Sequence, residues 1–279
     1  MTTSRTTRSA DGTLITSEVT GGGPGLVVVP GGGRAAQHYR ELAAALADDF
    51  TVHVMNRRGR GGSGPHGLDH SIETECADLA AVAQAAGAEV VFGHSFGGLV
   101  VLEYALRTPE LRAVAAYDPA VPLNNSLPLD WTPKLDRALS KHQYVKAMAL
   151  TGKHLQIGGP FALLPIWLST LVAQGLFRGE EARAELAELM RTLPYDFRVA
   201  KAMSSDGERY RAISQPTLLL HGDRSPRYLQ GGCAFLERTI PHAQAHEFSG
   251  VGHNAPDLPG PAAAEVAASL RDFLVPAVR

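Results

Sequence analysis

Gly93-His94-Ser95-Phe96-Gly97 sets one hydroxyl between two glycines, each two residues away. This is the G-x-S-x-G spacing of a sharp strand-to-helix turn. Apolar Val90-Val91-Phe92 precedes it and an amphipathic helical stretch follows. In such a turn the serine backbone is strained, and side chains at positions 93 and 97 would strike neighbouring elements, so glycine is required at both. The turn lifts the Ser95 hydroxyl above a sheet edge, where the free N–H groups and positive end of the next helix converge. The chemistry served is nucleophilic attack by serine on a carbonyl. A plain glycine-rich turn is the alternative reading.

The elements that must position this turn follow from hydrophobic pattern. Residues 26–29 (LVVV), 50–55, 89–92, 111–117 and 217–221 are short runs rich in apolar or β-branched residues, 244–248 is a more polar strand candidate, and 14–19 is a further candidate at the start. Continuously apolar runs fit strands buried on both faces of a parallel sheet. Helical stretches cover 37–47, 71–86, 96–107, 227–239 and 262–274, with Ser71 placed to cap the second. Strands alternating with helices predict an α/β fold: a mostly parallel central sheet with helices on both faces. The alternation stops near residue 120 and resumes near 212. The reading is a core of residues 1–120 and 212–279, interrupted by a helical cap insertion at 121–211, in which 182–190 is the clearest helix.

These pieces together resemble the α/β-hydrolase family over nearly the whole chain. The matching segments are VVVPGGG near residue 30, NRRGRGGSG at 56–64, GHSFGG at 93–98, PTLLLHG at 216–222 and SGVGHNAPDLP at 249–259. The resemblance implies a serine nucleophile, a histidine base and an acid in the order Ser…Asp/Glu…His. His253, in a glycine-flanked loop after a strand, fills the base position and Ser95 that of the nucleophile. It further implies oxyanion donors at the backbone N–H of Phe96 and in the loop 30–33. There Pro-Gly replaces the usual His-Gly, so the matching amide is that of Gly32. Three successive glycines allow close approach to a ligand but predict a less rigid hole.

The acid departs from the pattern. In His221-Gly-Asp-Arg-Ser-Pro226 its usual place is Ser225, which cannot supply a charge. Asp118, at the carboxyl edge of the preceding core strand, is the favoured replacement, with Asp223 as the alternative. Otherwise Asp118 caps the start of the insertion and Asp223 bonds its own turn. His94 lies beside the nucleophile and lines the site. Arg57, Arg58 and Arg60 read as solvated loop residues, with a substrate carboxylate as the lesser use. Trp131, Phe161, Leu163, Leu164, Ile166, Trp167, Leu168 and Phe177 suit an apolar substrate or simple packing of the insertion.

Composition sets the outer bounds. The chain has 279 residues, 44% hydrophobic and 19% charged, with a formal net charge of −2. These values fit a globular domain and argue against a nucleic-acid partner. Cys76 and Cys233 are far apart and read as free thiols. His242 and His246 fall in a strand-like run, so no metal and no cofactor are implied. The N-terminus lacks an apolar signal segment, which makes the cytoplasm the default location. Residues 155–177 carry no charge, but Gly158, Gly159, Pro160 and Pro165 break them. They read as an apolar helix pair over a pocket rather than a stable membrane insertion, with a membrane-surface or homodimer contact as the lesser alternative. The expected activity is serine hydrolysis of a carboxylic ester or lactone with an apolar body, through an acyl-enzyme. Haloalkane dehalogenase and ordinary epoxide hydrolase chemistry is disfavoured, because those relatives use a carboxylate nucleophile. A non-hydrolytic enzyme of this fold (lyase, cofactor-free perhydrolase or natural-product tailoring enzyme), C–C or amide hydrolysis, or a ligand-binding receptor are the rivals.

Overall fold

The computed structural model of the chain describes residues 2–279. Eight strands form one sheet: β1 Thr3–Arg8, β2 Leu14–Thr20, β3 Gly25–Val29, β4 Thr51–Met55, β5 Ala88–His94, β6 Ala113–Tyr117, β7 Thr217–Gly222 and β8 Ala243–Phe248. Their spatial order is β1-β2-β4-β3-β5-β6-β7-β8. The β1–β2 and β2–β4 pairings are antiparallel and the other pairings are parallel. All residues of β3 and of β6 are buried, as their unbroken apolar runs require.

Alternate residues of these strands enter two separate cores. Val27, Val29, Val91, Val114, Ala116 and Leu219 face α2 (Ile72–Ala86), α3 (Phe96–Ala105) and α8 (Arg227–Thr239). Leu26, Val28, Val90, Phe92, Ala115 and Leu220 face α1 (Arg40–Leu46) and α9 (Pro261–Val278). The period of two along each strand thus produces the three layers.

Between β6 and β7 the chain leaves the sheet for α4 (Thr132–Ser140), α5 (Tyr144–His154), a 3₁₀ turn (Gly159–Leu163), α6 (Ile166–Leu176) and α7 (Glu180–Ala202). Trp131, Leu135, Leu150, Leu186, Leu189 and Leu193 form a separate core among them. No helix among the described residues is long and apolar enough to cross a membrane.

Three local features differ from the sequence reading. The polar N-terminus forms β1, an exposed edge strand with no apolar alternation to announce it. Ser71 stands at the start of α2 without a side-chain capping bond. Helix α7 continues past residue 190 and through Pro194. Pro194 removes one helical hydrogen bond, but Leu189, Met190, Leu193, Asp196 and Val199 on both sides of it are buried and hold the helix together.

Candidate active site

Parallel strands deliver their carboxyl ends to one edge of the sheet. The turns after β3, β5, β6, β7 and β8 meet there and carry Gly31–Gly33, Ser95, Asp118, Ser225 and His253. Ser95 has φ 56 and ψ −117, a strained backbone at the start of α3. The two flanking glycines are obligatory. A Cβ on Gly93 would lie 2.2 Å from the Gly97 carbonyl oxygen, and one on Gly97 would lie 2.1 Å from that of Val29. The Ser95 N–H donates to the Tyr117 carbonyl (2.9 Å), locking the turn to β6. The Ser95 hydroxyl has no hydrogen-bond partner among the described residues and faces a cavity of about 260 Å³.

His253 lines the same cavity. Its Nδ1 donates to Asp118 Oδ2 at 2.9 Å. A carboxylate only accepts, so Nδ1 carries the proton and Nε2 presents a lone pair. Asp118 is fully buried with φ 45, a left-handed conformation that aspartate tolerates better than most residues. The same Oδ2 accepts the Ser225 hydroxyl at 2.6 Å, and Ser225 Oγ accepts the Gly222 N–H at 3.2 Å. The serine at the usual acid position therefore supports a carboxylate one strand away. Asp223 is exposed instead and accepts the Gly250 N–H at 2.8 Å. Ser225→Ala would remove one charge-assisted bond from Asp118, worth about 1.5–3 kcal/mol. If Asp118 orients the base, steady-state kinetics should show a fall in kcat of about tenfold or more with KM nearly unchanged.

The N–H groups of Phe96 and Gly32 are unpaired among the described residues, and both residues line the cavity. The glycine loop is braced rather than loose, contrary to the expectation from three glycines. The Gly31 N–H donates to the Tyr39 hydroxyl at 3.0 Å. A Cβ on Gly32 would lie 3.3 Å from Asp196 Oδ2, and one on Gly33 would lie 3.3 Å from both Leu193 and Met190, all on α7.

His94 plays a part that its place beside Ser95 does not announce. Its Nε2 donates to the His253 carbonyl (2.9 Å), which fixes the tautomer, and its Nδ1 accepts the Tyr39 hydroxyl (2.7 Å). One chain of bonds thus runs from Gly31 through Tyr39 and His94 to His253. Burial, then neighbouring His253, push the His94 pKa down to about 4, keeping the ring neutral as this chain requires. Tyr117 adds a brace, donating to the Gly252 carbonyl at 2.9 Å.

The three loop arginines are neither solvated nor open to a substrate. Arg57 and Arg60 are fully buried and Arg58 is nearly so. Arg57 pairs with Glu75 and Asp196, each at 2.6 Å, and stacks 4.2 Å above the Phe96 ring centre. Arg60 reaches Asp196 at 3.3 Å, and Arg58 binds Asp78 and Asp11. Their partners lie on other elements, so loop position alone misjudged them.

Of the eight apolar residues singled out in the insertion, Phe161 alone lines the cavity. Trp131 is buried among the inserted helices, while Leu163 and Trp167 face outward at 85% and 69% exposure. The wall is built instead by Leu127, Met148, Leu155, Ile157, Leu193 and Phe197, with others.

A model of the alpha/beta hydrolase family matches residues 26–269. Pimeloyl-(acyl-carrier protein) methyl ester esterase of Xanthomonas campestris pv. campestris is 28% identical over 251 residues, spanning 85% of this chain and 90% of that protein. The solved structure of an alpha/beta hydrolase from Sphaerobacter thermophilus is 30% identical, with a TM-score of 0.79, covering 97% of this chain and all of the other. An esterase from a Rhodococcus species shares the fold at 23% identity and TM-score 0.70, covering 97% and 98% of the two chains.

Proposed function

This chain belongs to the alpha/beta hydrolase family, and from that premise we propose that it hydrolyses carboxylic esters or lactones through an acyl-enzyme on Ser95. The observation that carries the reading is the orientation of His253. One ring nitrogen is held by Asp118, and the other is open to the cavity that Ser95 faces.

In the first half-reaction His253 Nε2 takes the Ser95 hydroxyl proton as Oγ bonds to the substrate carbonyl carbon. The resulting imidazolium is stabilised by Asp118, and the oxyanion by the amides of Phe96 and Gly32, at about 3–4 kcal/mol for each donor. Collapse of the tetrahedral species breaks the ester C–O bond, and His253 returns the proton to the departing alkoxide. Water then repeats the sequence: His253 removes its proton, its oxygen attacks the acyl carbon, and Ser95 leaves with the proton restored. No cofactor takes part in these steps.

The helices of residues 121–211 act in this reading as a cap over the core. Their apolar wall supports a substrate with an apolar body. The esterase relative supports ester cleavage over the lyase, perhydrolase and receptor alternatives. A cytoplasmic location remains part of the proposal.

Treatment with a fluorophosphonate tests the reading through the nucleophile itself. Intact mass should rise by a single adduct within minutes, and peptide mapping should place it on the segment containing Ser95. An unlabelled protein, or an adduct elsewhere, would remove Ser95 from the nucleophile's role.

A further inference from the structure

Lys153, the penultimate residue of α5, lines the cavity. Its Nζ donates to the carbonyls of Leu164 at 2.9 Å and Ala162 at 3.2 Å. Both acceptors are neutral, and an ammonium has three donors, so one N–H and the whole charge remain uncommitted. The cavity's own carboxylates cannot supply the balance. Asp196 is held by Arg57 and Arg60, and Asp257 by Arg34. Lys153 forms no ion pair with any described carboxylate.

The negative end of α5 eases part of the charge and explains a lysine at this helix terminus. It does not explain why this half-buried side chain borders an apolar cavity that offers it no counter-charge. Met148, Leu155, Ile157 and Phe161 line the cavity from the same inserted helices, so a ligand reaching Lys153 does so along apolar side chains.

We infer that Lys153 receives an anionic end of the substrate, and that the preferred esters carry a carboxylate at the end of the acyl chain remote from the scissile bond, as half-esters of dicarboxylic acids do. The inference rests on the ester-hydrolase reading for its turnover and on the cavity alone for its binding.

Two readouts separate these. In calorimetric titrations of the whole protein with dicarboxylates of four to eight carbons and monocarboxylates of equal length, one dicarboxylate should bind at least about tenfold tighter than its partner. In turnover, the ratio of kcat/KM between the mono-4-nitrophenyl ester of that diacid and the neutral ester of equal length should favour the anion by a similar factor. Lys153→Met should bring both ratios near one, Lys153→Glu should invert them, and Lys153→Arg should retain them. A wild-type protein without dicarboxylate preference at any length would overturn the inference. So would a preference that survives Lys153→Met, or a Lys153→Met variant in which both esters decline together, as a purely structural lysine requires. Lys153-dependent dicarboxylate binding without hydrolysis of either ester would uphold the anion site and reject the hydrolase reading.

Discussion

Asp118→Asn is expected to lower kcat by about ten-thousandfold, the scale seen when a triad acid becomes an amide. The change is nearly isosteric, and asparagine tolerates the left-handed backbone of residue 118 (φ 45). The fold should therefore survive, and thermal melting should verify that it does. What changes is polarity. A carboxylate accepts from both His253 Nδ1 and Ser225 Oγ, whereas an amide offers one acceptor and one donor group. If the donor faces His253, the imidazole must present its lone pair at Nδ1 and its proton at Nε2, which leaves the proposed mechanism without a base for Ser95. Charge stabilisation of the imidazolium is lost in either orientation. Asp223→Asn is expected to leave kcat close to wild type, because that carboxylate is exposed and, among the described residues, bonds only Gly250 N–H and the Ser249 hydroxyl. Active-site titration with a fluorophosphonate, followed by turnover of an aryl ester, distinguishes the two variants. Loss of turnover in Asp223→Asn, with activity retained in Asp118→Asn, would transfer the acid's role to Asp223.

The largest stability effect is expected at Asp196. Asp196→Ala would leave Arg60 without its carboxylate and Arg57 with Glu75 alone, all three fully or almost fully buried. Removing one member of a buried ionic group costs about 3–5 kcal/mol, because the remaining charge is desolvated without compensation. The cost includes more than Coulomb energy here, since Asp196 also fastens α7 over Gly32. The urea midpoint should fall accordingly. Arg112→Ala, which removes a half-exposed pair with Glu89, should cost less than about 1 kcal/mol. An Asp196→Ala midpoint no lower than that of Arg112→Ala would show that the ionic group contributes little to the folded state.

The sequence announces the sheet where burial leaves no choice. Residues 26–29 and 218–220 are apolar without interruption because helices cover both faces of β3 and β7. The elbow is equally legible, since glycine at 93 and 97 answers a steric demand that any reader of the spacing can reconstruct. Strand β1 is illegible for the converse reason: an exposed edge needs no apolar pattern. The charged loop shows the limit most clearly. Arg57 and Arg58 find Glu75 and Asp78 at short separation, but Asp196 comes from 139 residues away. Nothing local distinguishes a solvated arginine from one whose partner arrives on a distant helix. The same holds for Tyr39, whose role exists only because His94 and the His253 carbonyl lie in line with it. The identity of the cavity wall was likewise hidden: outward-facing Trp167 and inward-facing Phe197 differ in helix orientation, not in type.

The seating of α7 has a consequence for exchanging parts between relatives. Ser95 and Asp118 precede the inserted helices and His253 follows them, so the stretch between β6 and β7 invites replacement as a cassette. The cassette is not free-standing, however. Arg57 and Arg60 belong to the recipient scaffold, and their counter-charge travels with the donor segment at position 196. A graft that returns no carboxylate to that place would inherit two arginines adapted to the helix it displaced. Compatibility between scaffold and insert thus depends on one buried acidic position among other contacts, and chimeras chosen to keep it should fold more often than chimeras chosen by length alone.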